Sequence, residues 1–326
     1  MSVSHFVAES AFTFNGPEGE LIGILHQPDT PQTLGVVIVV GGTQYRVGAH
    51  RSFVQLARAI SEAGFPVLRF DHRGIGDAPA EYPGFAAIGP DISAALDVFM
   101  TRVPMIEGVM LWGLCDAVPA ICQIANQDKR VQGIALINPW IRDAESYDRS
   151  LFKNYYAKRP FQSDFWKNLL LGKSSGIDFV RLMVRMAKPF KSRNGKRAGS
   201  NHLTLKERVY RDLLGFKGPC LLVLSGNDLT AQEFDQEMSR LNGGNKLASS
   251  DYLTRIDFPT ADHTFTTTAE RTRLVHLTRV WIDWYANNGG CATDRKQTAR
   301  FFAMPCTVET VKGLPDAFED ASGGET

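Results

Sequence analysis

The sequence predicts a doubly wound α/β fold on a mostly parallel sheet, with a helical cap inserted into it. Three observations lead there. Short apolar runs alternate with amphipathic stretches along the chain. From Gly35 onward each central run is apolar at nearly every position, as in strands buried on both faces. One long interval, from Ile141 to Lys217, breaks the alternation and reads as helical throughout.

The first two strand candidates, Ala11–Phe14 and Leu21–His26, are expected to form an antiparallel hairpin at one sheet edge. Gly35–Val40, Pro66–Asp71, Val109–Gly113 and Gly133–Asn138 follow, then Cys220–Ser225 and Tyr252–Phe258 beyond the insertion. Between them lie His50–Ala63, Asp91–Thr101, Pro119–Asn126 and Arg271–Tyr285, whose apolar residues recur at helical spacing. The core is therefore assigned to residues 1–140 and 218–288, the cap to 141–217 and a tail to 289–326. The cap holds eighteen Lys and Arg against seven Asp and Glu, a net of +11. Since the whole chain carries +1, the remainder carries −10. The densest basic run, Lys188 to Arg197, reads as a solvated loop, and the cap as a lid that attracts an anionic substrate.

Composition excludes several classes. The chain has 326 residues, 44% hydrophobic and 22% charged, which is incompatible with wholesale disorder, collagen, coiled coil or a disulfide mini-scaffold. A net charge of +1 gives no reason to expect a nucleic-acid partner. Five cysteines (Cys115, Cys122, Cys220, Cys291 and Cys306) show neither a CxxC pair nor zinc-ligand spacing, so no metal is expected and a reducing compartment fits. The N-terminus lacks the basic and apolar regions of a secretory signal. Apolar runs such as Val36–Val40 fall far short of the ~20 residues that span a bilayer. A cytoplasmic protein without a transmembrane segment is expected; oligomeric state is not legible.

The chemistry concentrates at Val109-Met-Leu-Trp-Gly-Leu-Cys-Asp-Ala-Val-Pro119. A strand runs into Gly113-Leu-Cys-Asp-Ala117 and a helix follows, which is the shape of a nucleophile elbow with cysteine in the serine position. Residues two before and two after the nucleophile approach each other, so both must be small: Gly113 and Ala117. Cys115 is then expected over the helix N-terminus, where N–H groups favour thiolate and oxyanion, while the adjacent Asp116 charge opposes the thiolate and leaves the balance open. A nucleophile needs a base and the base an orienter. Asp228 and His263 each lie just past a strand, at the sheet edge that also holds Cys115. His202 falls in the insertion and His276 in a helix; Asp262 and Glu233 remain alternative orienters.

Two loops support the set. Gly41 and Gly42 let the backbone N–H of Thr43 turn towards the nucleophile, making an oxyanion hole with that of Asp116. In Arg69-Phe-Asp-His-Arg-Gly-Ile-Gly-Asp77, Asp71 and Arg73 are expected to brace the loop, leaving His72 and Asp77 outside the chemistry. Neither glycine motif matches a Rossmann or phosphate-loop fingerprint, so no nucleotide cofactor is expected.

These residues resemble the α/β-hydrolase superfamily: Phe70-Asp-His-Arg-Gly-Ile-Gly76, Gly113–Ala117, Gly226-Asn-Asp228 and Asp262-His263, over about residues 10–288. The chain is more closely similar to the exosortase A system-associated hydrolase 1 family, in Val39–Gly48, Trp112–Ala117 and Leu224–Phe234. The first resemblance implies the α/β-hydrolase fold. The second implies an esterase-like or acyl-transfer role beside exopolysaccharide and protein-sorting systems. A Cys-His-Asp set resembles that of dienelactone hydrolase. The expected activity is cleavage or transfer of an acyl group from a small-molecule ester, lactone or thioester through a thioester on Cys115. The alternative is a binding protein on a retired hydrolase fold, using the basic cap.

Overall fold

The computed structural model describes residues 6–41, 44–142, 203–241, 250 and 252–287. The basic run 188–197, the tail 289–326, and Gly42, Thr43 and His202 lie outside the described residues. By its internal contacts the chain falls into two compact units, residues 1–140 with 209–326, and residues 141–208.

The larger unit is built on one eight-stranded sheet. Its strands are β1 (Val7–Gly16), β2 (Gly19–Pro28), β3 (Leu34–Val39), β4 (Val67–Asp71), β5 (Gly108–Leu114), β6 (Val131–Ile137), β7 (Cys220–Ser225) and β8 (Leu253–Phe258). The spatial order is β1-β2-β4-β3-β5-β6-β7-β8. β1 and β2 form the expected edge hairpin, β2 runs antiparallel to β4, and every other pairing is parallel. The crossover helices are α1 (Ser52–Ser61), α2 (Gly89–Arg102) and α3 (Val118–Gln127); then come α4 (Leu205–Gly215), α5 (Leu229–Arg240) and α6 (Thr268–Asn287).

All residues of β3, β4, β5 and β7 are buried, which is why these runs show no polar alternation. One face of the sheet packs Val36, Ile38 and Trp112 against Phe53, Leu56 and Ile60 of α1 and Trp281 of α6. The other face is so tight that glycine is needed: a Cβ on Gly35 would lie 2.6 Å from the Phe99 ring of α2. The strand order reverses between β3 and β5. The loops leaving those two strands therefore diverge to opposite faces and open a crevice at their carboxyl ends.

α4 begins with a capping box. Thr204 N and Oγ1 donate to Glu207 Oε2 at 2.7 and 2.8 Å, and Glu207 N donates back to Thr204 Oγ1 at 3.4 Å. α5 is a helix that the sequence reading does not list. Its buried residues Ala231, Phe234 and Met238 recur at helical spacing, and Asp228 caps it.

Candidate active site

Cys115 follows directly on β5 and adopts φ +60°, the left-handed region that L-residues avoid at about 1–2 kcal/mol. The surroundings over-determine the turn. Its carbonyl accepts from Val118 N at the start of α3 and from Trp140 N, the latter at 3.1 Å. A Cβ on Gly113 would lie 2.3 Å from Ile121 Cδ1 and 3.0 Å from Ala117 Cβ. A Cβ on Gly41 would lie 2.4 Å from the Leu114 carbonyl oxygen. Two glycines and an alanine thus allow β3, β5 and α3 to meet beneath the sulfur.

The side chain of Cys115 is half-buried. Burial pushes its thiol well above the usual range, and the Asp116 and Asp228 carboxylates push the same way. Hydrogen bonding from the Asp116 backbone pulls against them and loses. The sequence leaves the balance between helix terminus and Asp116 charge open; burial and the Asp116 carboxylate tip it towards a neutral thiol. The Asp116 backbone nevertheless faces the sulfur, where an oxyanion donor belongs. Its proposed companion, Thr43 N–H, lies outside the described residues.

Asp228 Oδ2 accepts from His263 Nδ1 at 2.7 Å. The carboxylate is also held by Thr230 N at 3.0 Å and Ala231 N at 3.3 Å, the first free N–H groups of α5. One side chain therefore caps a helix and orients an imidazole. With Nδ1 donating to the carboxylate, Nε2 is left as the basic nitrogen. Asp262 is occupied elsewhere: its Oδ1 accepts from Thr264 N at 3.1 Å and Thr266 N at 3.0 Å. Those hydrogen bonds overcome the upward effect of burial and hold its carboxyl below the usual range. His276 lies mid-helix in α6. Among the described residues no hydrogen bond joins the sulfur to the His263 ring, yet the charge of Asp228 is felt at Cys115.

In the supporting loop Asp71 and Arg73 each bind other groups of the fold. Asp71 accepts from Arg46 N at 2.7 Å, from the Arg46 guanidinium and from Asp77 N at 3.1 Å. Arg73 pairs with Asp91 at 3.1 Å and with Glu18. His72 Nε2 faces the Val40 carbonyl at 3.2 Å, beside the β3 loop.

The sequence reading missed Asn138. It ends the β6 segment at φ +44° and is fully buried. Its Nδ2 donates to Ser225 Oγ at 2.9 Å and to the His263 carbonyl at 3.0 Å; its Oδ1 accepts from Ser225 N at 2.8 Å. One amide thus ties the base loop to the strand that carries the acid. The signal was available: Asn138 stands at a strand's carboxyl end, as the other candidates do, and precedes a proline.

No protein-family model and no curated protein matches this chain. Solved structures match it in fold. An esterase of Pyrococcus furiosus superposes with a TM-score of 0.58 at 15% identity, over 85% of this chain and 92% of that one. A protein of unknown function from Agrobacterium tumefaciens, assigned to the α/β hydrolases, gives 0.54 at 18% identity, over 86% and 97%. A dienelactone hydrolase of Anabaena variabilis gives 0.53 at 15% identity, over 86% and 99%. The chain has the α/β-hydrolase fold.

Proposed function

We propose that the protein is a cysteine-nucleophile hydrolase or transferase of acyl groups, with Cys115, His263 and Asp228 as its triad. The observation that carries this reading is Cys115 in a strained left-handed turn, at the sheet edge where the Asp228–His263 pair closes at 2.7 Å. Strain of this kind is retained where geometry serves function.

In the proposed cycle the substrate carbonyl settles over Cys115. His263 Nε2 takes the Sγ proton as sulfur attacks the carbonyl carbon. Asp228 stabilises the imidazolium that forms. The tetrahedral oxyanion is held by the N–H of Asp116 and that of Thr43. Collapse expels the alcohol or thiol, which His263 protonates, and leaves a thioester on Cys115. Water or an acceptor hydroxyl then gives its proton to His263 and attacks, releasing the acid or the transferred ester. The resting thiol is neutral, so proton removal and attack are coupled. That favours activated acyl donors: thioesters, lactones and activated esters. A role beside exopolysaccharide and protein-sorting systems belongs to this proposal and rests on the sequence resemblance; the dienelactone hydrolase and esterase among the structural neighbours carry names of the same chemical class.

The test is intact mass spectrometry after brief exposure to a thioester and an activated ester. An adduct of acyl mass on Cys115, absent in Cys115→Ala and accumulating in His263→Ala more slowly by orders of magnitude, is the expected result. Full turnover in either variant overturns the triad. A second reading, a retired hydrolase fold that binds rather than catalyses, is favoured by the elevated thiol and the missing sulfur–imidazole hydrogen bond. It predicts no adduct with any donor. A cytoplasmic location belongs to the proposal; among the described residues no helix is long and apolar enough to cross a membrane.

A further inference from the structure

A recess lies between α1 and the first half of α6, and none of Cys115, Asp228 and His263 lines it. It spans about 400 Å³ with its mouth included, the scale of a small-molecule site. Its walls are the hydrocarbon of Phe53, Leu56 and Leu274 and the Trp112 ring, all buried. Phe53 and Trp112 meet edge to face at 5.5 Å. Gln44, Ser52 and Thr264 line it from partly exposed positions.

Two donors of the lining residues find no acceptor among the described residues: Trp112 Nε1 and Arg271 Nε. Both atoms are sealed from bulk water, so each bears the cost of lost hydration. Trp112 is only 3% exposed. Buried donors without partners are rare in folded proteins, and two in one lining point to a ligand. The charge says which kind. Arg271 spends its other N–H groups on neutral acceptors. Nη1 donates to the Phe265 carbonyl at 3.0 Å and to the Thr266 carbonyl, and Nη2 to Thr268 Oγ1 at 3.1 Å. Among the described residues no carboxylate pairs with it. A guanidinium with an unfilled N–H and no counter-charge suits a carboxylate.

We propose that this recess binds a small organic carboxylate. The carboxyl group accepts from Arg271 Nε and Trp112 Nε1, and an aliphatic or aromatic body lies on Phe53, Leu56 and Leu274. An inorganic anion supplies the charge without the hydrocarbon, and an alcohol the hydrocarbon without the charge. The same guanidinium holds the carbonyls just past His263, so an occupant steadies the loop that carries the base. The site does not depend on Cys115 being a nucleophile.

The experiment follows the indole N–H resonances of the isotope-labelled full chain by NMR during titration with sodium hexanoate, sodium benzoate, hexanol and sodium chloride, with calorimetry for Kd. The spectrum of Trp112→Phe assigns the Trp112 resonance. Saturable binding of hexanoate or benzoate is expected, with a downfield shift of the Trp112 N–H as it gains an acceptor. Hexanol should bind about 10-fold more weakly or less, and chloride should leave the resonance in place. Trp112→Phe and Arg271→Lys should each weaken carboxylate binding by about 10-fold, while Cys115→Ala binds as the wild type does. If either variant melts early, the wild-type Trp112 shift decides. A Trp112 resonance that neither carboxylate moves overturns the site, and equal binding of hexanol overturns its preference for charge. Binding that neither lining variant weakens, or that Cys115→Ala abolishes, puts the carboxylate elsewhere and overturns the proposal, leaving the triad untouched.

Discussion

At the residue scale the balance at Cys115 decides how the site works. Desolvation and two nearby carboxylates keep the sulfur protonated, against the pull of one backbone donor. A raised thiol pKa means that thiolate appears only as pH climbs past the ordinary cysteine value. The rate of Cys115 alkylation by iodoacetamide should therefore be low at pH 7 and still rising above pH 9. A plateau below pH 8, followed by peptide mapping, would show that burial is not the dominant effect. Slow alkylation does not distinguish an enzyme from a retired fold, because both start from the same protonated thiol; substrate-driven acylation does. Asn138 is the positioning counterpart. Asn138→Asp keeps the shape but removes the Nδ2 donor to the His263 carbonyl and to Ser225. The expected outcome is a fall in kcat of about 10-fold or more with KM nearly unchanged, since the base loop is displaced and substrate contacts are not. Rescue of the rate by Asn138→Gln, whose longer side chain cannot keep both contacts, would contradict this role. Cys115, Asp228 and His263 were legible because each follows a strand. Asn138 shared that address, but its partners Ser225 and His263 lie 87 and 125 residues away, and only the fold shows them.

At the element scale the site is a junction of β3, β5 and α3. The small residues at positions 113 and 117 could be read as an elbow from spacing alone. Gly41 could be read as a permissive turn residue, but the structure gives it another reason: its α-carbon lies against the Leu114 carbonyl, with no room for a methyl group. Gly41→Ala should destabilise the protein by about 1–3 kcal/mol in urea unfolding and lower kcat, because the loop bearing Thr43 must retreat from the elbow. Wild-type stability and rate in that variant would mean the contact is not tight. α5 shows why Asp228 stood out in the sequence while its helix did not. A short polar helix with three buried residues is a faint pattern, whereas an acidic side chain after a strand is a plain one.

At the scale of the whole molecule a partly buried polar chain joins the two-strand edge to the loop of Arg46 and Asp71. His26 of β2 is fully buried beside Glu9 of β1 at 3.5 Å and accepts from Arg69 Nε of β4 at 2.9 Å. Arg69 in turn donates to the Arg46 carbonyl at 2.5 Å, and Arg46 pairs with Asp71. Burial and the Arg69 charge lower the His26 pKa to about 4, against a favourable effect of Glu9. The folded state therefore keeps His26 neutral while the unfolded chain takes up a proton below about pH 6.5. Stability from this group is present above that pH and lost as pH falls towards 4, by roughly 3 kcal/mol in all. Urea unfolding at pH 7 and pH 5 should show the loss, and His26→Gln should reduce the difference between the two. An equal pH dependence in the variant would assign the effect to other groups.

Alternating apolar runs and helical periodicity determined the strands, their burial and the carboxyl edge at which chemistry belongs, because those patterns record which faces leave water. Small residues around Cys115 determined the elbow, because backbone sterics act locally. Tertiary structure alone shows the burial that raises the thiol of Cys115, the contact of His263 with Asp228 and not Asp262, the partners of Asp71 and Arg73, and the bracing by Asn138. Each of these depends on groups far apart in the chain, whose fields and hydrogen bonds exist only after the sheet has closed.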